Sequence, residues 1–311
     1  MKRLVVCVIA VCLLFAAGCV KDSPVSSIAV DSSDIKYDIT MKQDLLCLMA
    51  AYSGYITDVE RKEDGKVYIA MKSGKRIPYD DKKTKSFEQK LDNPDLQDMM
   101  EQLYPLSDID ELIPQDFNPG RIRVYALLKE VYGSSQQQVQ ANLDNVVAGY
   151  RHFQFNRQNN AANAFKTAMG ELVSLAQQRK DVVPFLFPLG GTFNYRLIAG
   201  TGRLSPHSFG ISVDLAVNKK DYWKWVSRDE GQKRLNVYPD EIVKVFEKNN
   251  FIWGGKWGYF DFMHFEYRPE LILKARYFSG EYENGEAWYG SKPEAYTGAK
   301  DYIRLIDKAL E

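Results

Sequence analysis

Ser205-Pro206-His207-Ser208-Phe209-Gly210-Ile211-Ser212-Val213-Asp214 is the stretch on which the reading of this chain turns. It is answered by Trp253-Gly254-Gly255-Lys256-Trp257-Gly258-Tyr259-Phe260-Asp261-Phe262-Met263-His264-Phe265-Glu266. The tails of the two stretches, residues 210–215 and 264–267, read as strands. Between them, residues 239–249 read as a helix, with proline in the first turn, Ile242, Val245 and Phe246 inside, and Asn249-Asn250 at the end. Short apolar segments alternate with Gly-rich turns from about residue 183, and aromatic residues become dense. Residues 183–280 therefore read as a small α+β domain built on an antiparallel sheet.

The chain has only three histidines, His152, His207 and His264, and two of them lie in these stretches. A metal that activates water needs N or O ligands and an open position. A separate carboxylate must take the proton from that water and pass it on. Two histidines and two carboxylates are thus the minimum kit, and the two stretches contain it. Gly210 lets the chain turn, so that His207 and Asp214, seven apart, can face one ion. Asp261 and His264 are three apart, which on a regular strand places them on opposite faces. A bend between them is required, and Gly258 just before makes an irregular approach plausible.

The pattern Ser-x-His-x-x-Gly-x-x-x-Asp, followed by Trp-Gly-Gly and Asp-x-x-His-Phe-Glu, resembles the zinc D-alanyl-D-alanine carboxypeptidases and L-alanyl-D-glutamate endopeptidases of the bacterial cell wall. The vancomycin-resistance D,D-carboxypeptidases belong to that group. The likeness covers residues 187–270, and Phe193-Asn194-Tyr195-Arg196 through Ser205 fits a sub-branch of it. It implies a hedgehog/D-Ala-D-Ala peptidase-like fold, an α+β arrangement whose small antiparallel sheet and flanking helices carry one zinc ion. By position it implies His207, Asp214 and His264 as ligands and Asp261 as general base and acid. Arg196 matches the arginine that stabilises the oxyanion, with Arg203 as competitor, and Ser205 would hold the loop before His207. The implied substrate is a peptidoglycan stem peptide. The base is Asp here, as in the endopeptidase branch, so the bond cut stays open between exo- and endopeptidase.

Other residues near the motif read in two ways each. Glu266 shares a strand face with His264 and either orients it or is structural. Trp253 and Trp257 read as pocket wall or core. His152 has no carboxylate or cysteine partner nearby and reads as a helix-surface residue. The lysine-containing runs 72–75 and 82–85 read as solvated faces.

Working outward, residues 35–180 read as an α+β, mostly helical region and 181–311 as the peptidase domain with a C-terminal helix. Val67, Ile69 and Met71 alternate with polar neighbours between two turn signals, which marks a strand. Asn93-Pro94 is read as opening one helix and Pro119 another, the second ended by Gly133. Helices are expected at about 136–150, 160–179 and 294–310.

The N-terminus reads as export machinery. Lys2 and Arg3 precede an apolar run of twelve residues, 4–15, too short to span a bilayer comfortably. Ala16-Ala17-Gly18 before Cys19 resembles a bacterial lipobox, although Ala16 stands where Leu is usual. This implies a signal peptide at 1–18, lipid on Cys19, a tether at 19–34, and an extracytoplasmic, membrane-anchored protein. Cys7 and Cys12 leave with the signal, so Cys47 alone remains and reads as a buried small hydrophobe. With 41 basic and 41 acidic side chains the formal net charge is zero, which gives no reason to expect a nucleic-acid partner. Two other readings compete with this one. A non-catalytic wall-binding or scaffold lipoprotein can share this fold, but all four key positions are intact here. A glycosidase using paired acids leaves both histidines unexplained.

Overall fold

The computed structural model describes residues 32–280, 282, 286–290 and 298–311. The expected signal segment, Cys19 and most of the tether lie outside these described residues. No helix among them is long and apolar enough to cross a membrane.

Helix α1, Ser32–Ala51, enters the core: Leu45, Leu46, Cys47, Leu48 and Met49 are all fully buried. Five apolar residues in a row bury every face of that turn, which a surface helix would not do. Cys47 is the buried hydrophobe expected, and burial pushes its thiol well above the usual range. Strands β1 (Ile56–Arg61), β2 (Val67–Met71) and β3 (Arg76–Pro78) follow as an antiparallel sheet in sequence order. Val67, Ile69 and Met71 point inward, as their alternation requires.

Two helix starts differ from expectation. Asn93 closes α2 (Phe87–Asp92) rather than opening a helix. Asp95 caps α3 (Leu96–Met100) instead, accepting the Asp98 N–H at 2.9 Å while the Asp98 carboxylate accepts the Asp95 N–H at 3.1 Å. Likewise α4 runs Tyr125–Tyr132, not from Pro119, because Gly120 takes a left-handed φ of 87° that interrupts a helix. Gly133 does end it.

The expected helix at 136–150 is only α5, Gln136–Ala141. The rest is a hairpin of β4 (Leu143–Ala148) and β5 (Arg151–Asn156). Asp144, Asn145, Val146 and Val147 are poor helix formers. Gly149, with φ 63°, supplies the first central position of a two-residue hairpin turn. His152 is therefore an exposed strand residue opposite Val147, not a helix-surface one.

Helix α6, Ala161–Gln178, buries Phe165, Ala168, Met169 and Leu172. Short α7 (Val183–Leu186) leads to β6 (Ser212–Asp214), then α8 (Arg228–Leu235), α9 (Asp240–Lys248), β7 (Phe251–Trp253) and β8 (His264–Tyr267). These strands form an antiparallel sheet in the order β6-β8-β7, with α9 packed on β7. Helices α10 (Pro269–Tyr277) and α11 (Ala299–Leu310) close the chain on α1. Gly298, left-handed at φ 84°, precedes α11; residues 294–297 of the expected last helix lie outside the described residues. The chain is thus a mixed α+β protein. One cluster of buried apolar side chains runs from Met41 on α1 through β8 to Leu310 on α11, with no break near residue 180.

Candidate metal centre

Ser205 starts the site. Its hydroxyl accepts the His207 N–H and begins a single 3₁₀ turn, Pro206–Phe209. Gly210 ends that turn at φ 66°, a left-handed conformation that favours glycine. A Cβ there would also press on the Leu143 side chain and the Asn156 backbone, so glycine is required twice over. The chain then enters β6, where Asp214 lies directly opposite His264 on β8. Residues paired across an antiparallel ladder project to the same face, which brings the aspartate against the second histidine.

Three atoms converge. His207 Nε2 is 3.2 Å from Asp214 Oδ1, His264 Nδ1 is 3.0 Å from the same oxygen, and the two nitrogens are 3.3 Å apart. A tetrahedral cation with ligand bonds of 2.0–2.1 Å holds its ligands about 3.3 Å apart. The triangle already has that spacing, so the donor set fits a small divalent metal. The far side of each ring is also engaged. His207 Nδ1 faces the Thr192 carbonyl, which calls for a proton on Nδ1 and leaves the Nε2 lone pair toward the triangle. His264 Nε2 lies 3.8 Å from Glu266 Oε2. Glu266 is fully buried and is gripped by Arg123 Nη2 at 2.5 Å and Nε at 2.9 Å, with Arg268 Nη1 at 3.4 Å.

Asp261 is set off from β8 by the bend that its spacing demands, and its charge interacts with those of His264 and Asp214. A turn at Phe262-Met263 separates it from β8, and the His264 N–H bonds back to its carbonyl at 3.2 Å. Its own N–H donates to the Gly254 carbonyl at 2.9 Å. A Cβ on Gly254 would sit 2.6 Å from the Asp261 carbonyl oxygen, so the Trp-Gly-Gly signature exists to let these two segments touch. Trp253 and Trp257 are buried walls, with the Trp257 ring centroid 5.6 Å from that of His264. Asp261 Oδ1 is buried and has no hydrogen-bond partner. A bare carboxylate oxygen is costly to keep and is the kind of atom that a water or cation completes.

The electrostatics follow from this crowding. Burial pushes Asp261 up to about 7; the His264 charge opposes that, the Asp214 carboxylate adds to it, and Arg121 opposes it. Burial works against charge on His264, yet Asp214, Glu266 and Asp261 raise it to about 9. Burial would also raise Asp214, but His207 and His264 overcome it and hold the carboxylate far below its ordinary range.

The arginines separate by what they touch. Arg203 is spent on Asp92 at 3.2 Å. Arg196 is exposed, and among the described residues its guanidinium has no ion-pair partner; its charge acts on Tyr222, which pairs with Asp261 through an isolated bridge. Arg121 and Arg123 are site residues that the motif reading passed over. The signal available was the alternation in Arg121-Ile122-Arg123, which places both guanidinium groups on one side of an extended segment.

Residues 199–267 match the family model of D-alanyl-D-alanine carboxypeptidases. This segment belongs to that family. No curated protein and no solved structure matches the chain. The peptidase segment contains His207, Asp214, Asp261, His264 and Glu266, but begins after Arg196 and excludes the whole N-terminal region. Arg121 and Arg123 therefore come to the peptidase site from outside the matched segment.

Proposed function

We propose that the protein is a lipid-anchored, extracytoplasmic zinc peptidase that hydrolyses peptide bonds of peptidoglycan stem peptides, on a hedgehog/D-Ala-D-Ala peptidase-like fold. The observation that carries this reading is the triangle of His207 Nε2, Asp214 Oδ1 and His264 Nδ1, with the buried, unpartnered Asp261 Oδ1 three residues before His264. Zinc held by those three side chains supplies Lewis acidity toward a scissile carbonyl and makes a nearby water more acidic. Asp261 Oδ1 accepts the proton of the attacking water and returns it to the leaving amine. Arg196 places positive charge where the carbonyl oxygen becomes negative. The Thr192 carbonyl and the Glu266–Arg123 pair fix the two imidazoles so that neither ring has to reorient. Lipid on Cys19 would keep the site against the wall.

The test is mass spectrometry of defined muropeptides before and after incubation with the zinc-loaded protein. Stem peptides shortened or cut by the loaded protein, and left intact after chelation, are the expected result. Equal hydrolysis before and after the metal is stripped overturns the reading.

A further inference from the structure

Four arginines lie close around the centre on buried or half-buried backbone, and three have anionic partners. Arg123 grips Glu266, Arg268 grips Glu270, and Arg203 meets Asp92. Arg121 is the exception. One of its N–H groups donates to the Tyr259 carbonyl at 3.1 Å, and the described residues give the guanidinium no other acceptor and no carboxylate within ion-pair distance. A guanidinium carries five N–H donors in a planar fork, so most of this one is unspent. It lies beside two aromatic rings: its central carbon is 5.4 Å from the Trp257 ring centroid and 5.5 Å from that of Tyr259. Trp257 is in turn the ring against which His264 packs. One indole thus separates the free guanidinium from a member of the metal triangle. The guanidinium carbon and the His264 ring are therefore at most about 11 Å apart, within the span of a few residues of extended peptide.

We infer that Arg121 is the docking point for a free carboxylate that the substrate carries next to its scissile bond. The inference rests on the peptidase reading for the identity of that substrate. A planar guanidinium with most of its fork unused is the group that binds a carboxylate in two parallel bonds. A half-buried cation without a counter-ion is unfavourable in the free protein, so an arriving anion gains by relieving it. Burial draws Arg121 down to about 10, which leaves it charged at neutral pH. Asp261 does not serve as the counter-ion, because among the described residues the only hydrogen bond of the Arg121 guanidinium goes to the Tyr259 carbonyl and no carboxylate is within ion-pair reach. Stem peptides offer the required carboxylate in two places: the C-terminus of a terminal D-alanine, and the α-carboxylate of a γ-linked D-glutamate. Arg121 recognises the chemistry they share.

The experiment uses the full chain and two matched pairs of peptides. One pair is diacetyl-L-lysyl-D-alanyl-D-alanine as free acid and as C-terminal amide. The other is L-alanyl-γ-D-glutamyl-L-lysine with the glutamate α-carboxylate free or amidated. With the zinc-loaded protein, the acid of one pair is cleaved about ten- to hundredfold better in kcat/KM than its amide, the size of a charge-assisted pair. Arg121→Gln loses that preference through KM and keeps its metal. Arg121→Lys regains part of the preference. The pair that shows the effect tells which carboxylate is used. A second arm measures equilibrium binding of the same peptides to metal-stripped protein by tryptophan fluorescence, where turnover plays no part. Acid preference lost in Arg121→Gln supports the site even if no peptide is cleaved, in which case the peptidase reading alone falls. An acid-to-amide ratio that is the same in wild type and Arg121→Gln, or equal binding of acid and amide by wild type, overturns the inference.

Discussion

Among the described residues, two groups of side chains are tight enough to hold a cation, and they differ in what already fills them. In the first, His207, Asp214 and His264 meet without a lysine or arginine among the described residues in ion-pair reach of Asp214. In the second, carboxylate oxygens of Asp80, Asp81 and Asp95 also lie within 4.8 Å of one another. There the cation is built in. Lys85 Nζ sits 2.6 Å from Asp98, 2.8 Å from Asp95 and 3.1 Å from Asp81, with a side chain only 6% exposed. Tyr37 and the Lys83 amide occupy further lone pairs of Asp80 and Asp81. The contrast teaches that clustered acids alone do not make a metal site. What distinguishes the first group is that Asp214 faces only imidazoles, which can give up a proton to a metal, while the second is a network satisfied by a lysine.

The largest effects should break the first group and spare the second. His207→Ala removes one of three ligands, and we expect metal content by plasma mass spectrometry to fall from one equivalent to none, with all hydrolysis lost. Asp95→Asn leaves the single equivalent in place; loss of metal from that variant would show that the wrong cluster was chosen. Asp261→Ala keeps the metal, because Asp261 is outside the triangle, but lowers kcat by about 10²–10⁴-fold, the range for a lost general acid–base group.

A smaller effect sharpens the same contrast through pH. His264 must be neutral to bind a metal, yet its carboxylate neighbours raise it to about 9 in the metal-free protein. Below that pH the proton and the metal compete, so metal binding releases a proton. Apparent affinity should therefore rise with pH between about 7 and 9, by up to about tenfold per unit, and level off above. Competition titrations with a chelating dye measure it, and a flat profile over that window contradicts the assignment of His264 as a ligand. For the second cluster the corresponding change is in stability. Lys85→Met strands buried Asp95 and Asp98 without their cation, at a cost of about 3 kcal/mol, read as a lower urea midpoint with metal content unchanged. A midpoint equal to wild type would mean that Lys85 is a solvated residue after all.

That lysine also marks where the sequence stopped being legible. The run 82–85 reads as a charged surface, which holds for Lys82 and Lys83. Lys85 departs from it because its partners Asp95 and Asp98 belong to a separate helix start, and no local pattern says that the two segments meet. The sheet of the centre was easier to see. Residues 264–267 carry the β8 pattern locally, and Gly210 and Trp-Gly-Gly mark close backbone approaches that only glycine permits. Strand β7 went unseen because three residues, all buried, leave no alternation to detect. Arg123 was hidden for another reason: its role is set by Glu266, 143 positions away, and no local period encodes such a pairing.

The smallest expected effect concerns the histidine that belongs to neither cluster. The sequence places His152 on a helix face, whereas the fold puts it on β5, exposed and opposite Val147 near the tip of a hairpin. In either setting it lacks a second ligand, so it makes a control with the same chemistry as His207 and His264 and a different neighbourhood. His152→Gln should leave metal content, hydrolysis and thermal midpoint at wild-type values, since exposed substitutions away from special features change little. If it instead lowered metal content, the ion would be bound by imidazoles in general rather than by the geometry of β6 and β8. The difference between His152 and His264 would then have no physical basis, because what separates them is the aspartate directly across the ladder and the carboxylate behind the ring.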